Sequence, residues 1–198
     1  MYYGATNTFN AGVQGTGPIY LVGILMMLVA LGFKASMVPF QWWTPDVYQG
    51  SPTVVTMFMA TAVKAAAFAA LLRIFTPAGL ESWGIVLAVI IALTTIFGNL
   101  GALSQTEAKR LFAYSSIAHA GYVALGLYGE AGRAAIPFYL LTYALATGVI
   151  FWILSTLSNQ DVPLERLTGL FQRRPVQAVA MGVSILSLLG IPPLAGFW

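Results

Sequence analysis

No cysteine occurs among the 198 residues, which excludes disulfides, thiol chemistry and cysteine-ligated iron–sulfur clusters within this chain. The single histidine, His119, cannot build a zinc or haem site alone. Any electron transfer tied to this protein therefore happens elsewhere. Charge is scarce too: 8% of residues are Asp, Glu, Lys or Arg, against roughly 25% in a soluble domain. That deficit is too large for a water-facing surface. The net charge of +3 comes without a clustered basic stretch, so nothing points to nucleic acid. The strand alternation of an outer-membrane barrel is absent. Residues 1–17 are uncharged and polar and carry no secretory signal pattern.

What the sequence has in quantity is apolar length. Hydrophobic residues make up 59% of the chain, in runs near the ~20 residues that a ~30 Å hydrocarbon core demands. Hydropathy predicts six spans, at 18–38, 54–75, 83–103, 111–128, 134–157 and 176–198. Backbone groups in lipid must be satisfied internally, so the fold class is all-α, a polytopic transmembrane helix bundle forming one membrane domain over 1–198. The connections 39–53, 104–110 and 158–175 contain Lys109, Arg110, Arg166, Arg173 and Arg174, whereas the others hold Arg73 and Arg133. The positive-inside rule then puts the first set in the cytoplasm and the N-terminus outside. In 158–175, Leu164, Leu167, Leu170 and Phe171 are spaced as a short amphipathic segment at the interface or as an ordinary ordered loop. The last run is still apolar at its final residue, so the chain is expected to be a fragment of a longer one.

Two lysines interrupt the apolar runs. A lysine at membrane depth costs about 2.5–3.5 kcal/mol on insertion scales and is a functional candidate by default. Lys34 stands near Pro39, where the helix should break or kink around residues 35–36. A broken helix at depth usually lines a cavity, but a lysine near a helix end can also snorkel to the headgroups. Lys64 has about ten apolar or small residues on each side, more than its stem can snorkel past. Desolvation disfavours the ammonium, so such a group can gain and lose a proton at working pH. The competing reading is a permanently charged lysine paired with a carboxylate. The six acids, Asp46, Glu81, Glu107, Glu130, Asp161 and Glu165, all fall in or near connections, so either the lysine is often neutral or its carboxylate lies outside these residues.

His119 lies inside the fourth span, with Ser115 and Ser116 one turn before it and Tyr122 one turn after. These hydroxyls could hold water and pass protons to an imidazole that titrates near pH 6.5. Equally, His119 could hydrogen-bond a neighbouring helix and never change charge. In the last span Gly190, Pro192, Pro193 and Gly196 predict a second broken helix. Two interrupted spans suggest an internal repeat of the kind secondary transporters use, or two unrelated kinks.

Several stretches together carry a family resemblance. These are 34–52 (Lys-Ala-Ser-Met-Val-Pro-Phe-Gln-Trp-Trp-Thr-Pro-Asp-Val-Tyr-Gln-Gly-Ser-Pro), Lys64 in its span, Lys109-Arg110 with 113–119 (Ala-Tyr-Ser-Ser-Ile-Ala-His), and 187–197 (Ser-Leu-Leu-Gly-Ile-Pro-Pro-Leu-Ala-Gly-Phe). The chain resembles the antiporter-like subunits of respiratory complex I over nearly its whole length. The resemblance implies two inverted five-helix repeats, each with a broken helix, of which these spans match the seventh to twelfth helices. It implies proton-transfer roles for Lys34, Lys64 and His119, supported by Ser115, Ser116 and Tyr122 and by the breaks at Pro39, Pro192 and Pro193. By the same resemblance the chain is a subunit of a proton-translocating enzyme of the cell inner membrane. It would sit among other membrane subunits, including neighbouring antiporter-like ones, in the lipid bilayer. The resemblance implies no cofactor in this chain; NADH, flavin, iron–sulfur clusters and quinone would belong to partner subunits. Gln41 stands where the family commonly has histidine, and it cannot titrate. By the resemblance, the family's fifth-helix glutamate would lie before Met1 and supply the missing carboxylate, and its twelfth-helix lysine would lie after Trp198, so this stretch alone should not pump. Other readings are a subunit of a multi-subunit cation/proton antiporter or membrane hydrogenase, and a structural membrane subunit without an ion path.

Overall fold

The computed structural model describes residues 18–74, 77–158 and 161–197, the side chains of 18–21, 24 and 77–83 excepted. The expectations for residues 1–17, Phe75 and Trp198 fall outside this set. The described residues are helical throughout, apart from connections and one isolated bridge between Glu107 and Pro163. In chain order, the helices are α1 (Pro18–Ala35), α2 (Trp43–Gly50) and α3 (Thr53–Ile74). Then come α4 (Pro77–Leu103), α5 (Ala108–Leu125), α6 (Glu130–Leu157), α7 (Leu170–Arg173) and α8 (Pro175–Leu188). Three stretches among the described residues are long and apolar enough to cross a membrane: Thr53–Ile74, Gly84–Leu103 and Glu130–Leu157. The apolar stretches Leu25–Ala35 and Pro175–Leu188 are shorter.

Two helices stop in the same way. At the end of α1, Ser36 takes the left-handed conformation (φ 64°), its N–H donates to Phe33 O (3.2 Å), and Met37 N–H donates to Gly32 O (2.8 Å). At the end of α8, Gly190 (φ 71°) donates to Ser187 O (3.0 Å) and Ile191 to Leu186 O (3.2 Å). Both pairs are the i−3 and i−5 bonds of a Schellman cap. A proline follows three residues later in each case, Pro39 and Pro193, and prevents the helix from resuming. Glycine adopts the left-handed conformation without steric cost, but serine does not. The first stop is accordingly tied from several sides. Thr44 Oγ1 donates to Ser36 Oγ (2.7 Å), Val38 N–H to Thr94 Oγ1 (2.9 Å), and the Trp43 indole to Phe33 O (3.0 Å).

Helices α4 and α5 approach closely because glycine lies between them. A Cβ on Gly98 would come 2.8 Å from Ala118 Cα, and one on Gly121 would come 3.1 Å from Thr95 N. Small residues at such seams are how apolar helices gain packing without a hydrophobic driving force between them.

The buried side chains form two apolar clusters. Three helices contribute to both, with polar residues where one cluster gives way to the other. On α3 the order is Ala60, Lys64, Phe68; on α5, Ala113, Ser116, His119, Ala120; on α6, Leu140, Tyr143, Thr147, Ile150. The polar groups are therefore a seam across the bundle, not a scatter.

The connections 39–53, 104–110 and 158–175 dock on one another. Thr53 Oγ1 donates to Ser158 O (3.2 Å), Ala108 N–H to Val162 O (2.8 Å) and Leu164 N–H to Thr106 O (2.9 Å). Arg110 pairs with Asp46 at 2.6 Å and also reaches Gln49. In the stretch read as amphipathic, Leu170 is buried and Phe171 is exposed.

Candidate functional site

Lys64 is 2% exposed. Its Nζ donates to Ser116 O (2.5 Å) and also to the Ser116 hydroxyl, and it stands 5.6 Å from the centre of the Tyr143 ring. No carboxylate among the described residues lies within ion-pair distance of it. Burial of a charge without a counter-charge is costly unless hydrogen bonds compensate, and here the partners are a carbonyl, a hydroxyl and a π face.

The aim of Lys64 depends on local backbone. Immediately before it, Met59–Val63 forms a π-helical segment, and α-helical geometry resumes at Lys64. Such a bulge acts as one inserted residue, which turns everything beyond it by about 100° around the helix axis. Thr61 occupies this segment and donates its hydroxyl to Met57 O (2.7 Å).

His119 is buried on the same helix as Ser116, one turn later. Its Nδ1 shares a hydrogen bond with the Tyr139 hydroxyl (2.7 Å), in which either group can be the donor. Its ring centre lies 5.2 Å from that of Tyr143 and 5.5 Å from that of Tyr122. Beside it is a cavity of about 10 Å³ lined by His119, Tyr139, Thr142, Tyr143, Ser187, Leu188 and Gly196. That volume suits about one water molecule among several polar partners. The seam thus runs from Lys64 through Ser116, Tyr143 and His119 to the end of α8, where the second helix stop lies.

The remaining candidates are placed differently. Lys34 is exposed and looks onto an open groove of about 560 Å³ lined by Leu31, Phe58, Ala62, Val63, Ala66 and Ala67. The groove takes in Ala62, Val63, Ala66 and Ala67 of α3, whereas the Lys64 amine goes to Ser116. Ser115 is half-buried and makes no polar contact in the seam. Tyr122 is 39% exposed and accepts a bond from Asn99 Nδ2 (2.8 Å), while its ring edge meets His119. Pro39, Pro192 and Pro193 are exposed, just beyond the two helix stops. Gln41 is buried.

Sequence reasoning overlooked Tyr139 and Tyr143, which hold the far side of His119. A signal existed, because two tyrosines four apart inside an apolar run share one helix face. It also overlooked the π-helical segment, for which the residues Met59 to Val63 offer no marker. A second buried lysine, Lys109, is 1% exposed and donates to Ser51 O (2.8 Å) at the docked connections.

The chain matches the family described as NADH:quinone oxidoreductase/Mrp antiporter, TM, over residues 5–198. NADH-quinone oxidoreductase subunit 14 of Thermus thermophilus is 57% identical over 198 residues, which cover 100% of this chain and 45% of that protein. NADH-quinone oxidoreductase subunit N of Desulforamulus reducens is 45% identical over 211 aligned residues, covering 100% of this chain and 44% of that protein. A solved respiratory complex I from Thermus thermophilus with bound Aureothin contains a chain with the same fold. There the TM-score is 0.88 at 57% identity, over 100% of this chain and 44% of that one. The chain spans somewhat under half the length of these relatives.

Proposed function

This chain belongs to the NADH:quinone oxidoreductase/Mrp antiporter membrane family, and on that premise we propose that it forms part of a proton-translocating subunit of NADH:quinone oxidoreductase. The observation that carries the proposal is Lys64: a buried amine bonded, among the described residues, to neutral groups, at one end of a polar seam that reaches His119 and a water-sized cavity. An amine with neutral partners can hold either protonation state without leaving a buried counter-charge behind. A proton taken up by the amine makes the ammonium. Its release toward Ser116, with the hydroxyl passing its own proton on, restores the amine and conserves every atom. His119, with Tyr139 and the cavity beyond it, is the next acceptor.

Lys34 is the proton-transfer group of a separate approach to the axis, through the groove it faces. Ser115 and Tyr122 support the path from its edge. Pro39, Pro192 and Pro193 keep the two helix ends open. The matching Schellman caps support two inverted repeats, each with one broken helix. In the membrane, α1, α5 and α8 complete six spans with α3, α4 and α6. The three connections that together carry Lys109, Arg110, Arg166, Arg173 and Arg174 dock at one end, which supports their cytoplasmic placement and so puts the N-terminus outside a bacterial plasma membrane. Neighbouring membrane subunits, including other antiporter-like ones, are the partners; NADH, flavin, iron–sulfur clusters and quinone are held by partner subunits. The family also includes Mrp antiporters, and 57% identity to a NADH-quinone oxidoreductase subunit supports the respiratory reading.

The test uses the full-length subunit in its assembled complex, reconstituted in vesicles. Lys64→Met should lower NADH-driven proton uptake at least about tenfold, as expected when an interaction worth ~1.4 kcal/mol or more in a limiting step is removed. Undiminished coupled uptake would overturn the proposal, and would favour a structural subunit without an ion path.

A further inference from the structure

Tyr143 is 5% exposed and lies between the two titratable side chains of the seam. Lys64 Nζ is 5.6 Å from its ring centre, and the His119 ring centre is 5.2 Å away on a plane tilted by 49°. The lysine lies within the ~6 Å over which a ring quadrupole attracts a cation, an attraction that strengthens on desolvation. A neutral amine feels almost none of it. The two protonation states of Lys64 therefore differ in how firmly they hold this ring. Tyr143 also lines the cavity beside His119, together with Ser187 and Gly196 from beyond the seam. A small displacement of the ring would change both the lysine contact and the space available to a water beside the imidazole.

We propose that Tyr143 is a positioning residue whose ring face holds the charged form of Lys64 and stands as the partition between Lys64 and His119. Loss of the proton from Lys64 frees the ring, and capture of a proton returns it. The partition couples the charge on the lysine to access at the histidine. The inference rests on the reading that Lys64 carries translocated protons. It adds an electronic requirement at residue 143 that neither packing nor the hydroxyl supplies.

The test replaces Tyr143 in the full-length subunit of the assembled, vesicle-reconstituted complex and reads NADH-driven proton uptake. Tyr143→Phe keeps the ring face and should retain uptake within about twofold. Tyr143→Leu should lower it roughly tenfold. Fluorinated phenylalanines at position 143, close to phenylalanine in volume, should fall progressively from the phenylalanine value toward the leucine value as fluorine is added. A flat fluorination series would overturn the proposal, since the ring would then be filling volume only. Tyr143→Phe as low as Tyr143→Leu would also overturn it and assign the role to the hydroxyl. The fluorinated series keeps the test decisive where the leucine variant fails to assemble. Lys64→Met run alongside separates the two ideas. Undiminished uptake in that variant removes the proton-carrying reading itself, whereas a loss there with a flat fluorine series removes only the role of Tyr143.

Discussion

Lys64 and Lys109 are both buried, at 2% and 1% exposed, and each donates to a main-chain carbonyl of another element. Their surroundings differ. Lys109 sits where three connections dock and holds the Ser51 carbonyl. Lys64 lies in mid-helix among a serine, tyrosines and a histidine, with no acid in ion-pair distance among the described residues. A lysine fastened to a loop carbonyl where three connections dock is a clasp, and its work is to hold that docking together. A lysine with only neutral partners gains little from permanent charge and loses little by releasing a proton. Burial of an amine is thus an incomplete guide to its role; what the amine is fastened to, a docked loop or a polar seam in mid-helix, distinguishes the two cases.

The largest predicted effect tests this contrast directly. Lys64→Arg keeps a positive charge that cannot be released and should lower coupled proton uptake as far as Lys64→Met does, at least about tenfold. Lys109→Met should leave uptake per assembled complex within about twofold, at a stability cost of about 1–3 kcal/mol for the Ser51 carbonyl it abandons. Thermal unfolding of the complex and assembly yield measure that cost. If Lys64→Arg pumped normally, the distinction between clasp and carrier would fail.

Next comes the backbone that aims Lys64. Deleting Ala62 from the π-helical segment should restore plain α-helix and turn Lys64 about 100° away from Ser116. Coupled uptake should then approach that of Lys64→Met while the subunit still inserts. A smaller effect belongs to the α4–α5 seam. Gly98→Val would press a side chain into the Ala118 backbone and should destabilise by about 1–3 kcal/mol, read as a lowered Tm of the purified complex. Smallest is Asp46→Asn. The Asp46–Arg110 pair is exposed on the carboxylate side, at 72%, so its loss should change Tm by the equivalent of less than about 1 kcal/mol.

The all-α character was legible because apolar length leaves few other options in lipid. The helix end near residues 35–36 was legible through Pro39, and the one near 190 through Gly190 and the paired prolines. The Ser36 conformation was not, because serine reaches it only with the help of Thr44 and of neighbouring backbone bonds that no local pattern announces. In the seam, Lys64 and His119 stood out as polar interruptions of apolar runs. Their connection through Ser116, Tyr143 and Tyr139 depends on how α3, α5 and α6 pack, which periodicity within one helix does not encode. Lys34 stood out equally, yet it is exposed at a groove whose lining does not include Lys64, a placement that spacing along the chain does not encode.

The account stands on Lys64 changing its protonation during turnover. The most direct measurement is nitrogen-15 spectroscopy of lysine-labelled full-length subunit in the assembled complex, with the Lys64→Met variant assigning the signal. The account predicts a Lys64 resonance that moves between ammonium and amine positions as NADH oxidation is started and stopped. A resonance fixed in one form under both conditions would contradict it.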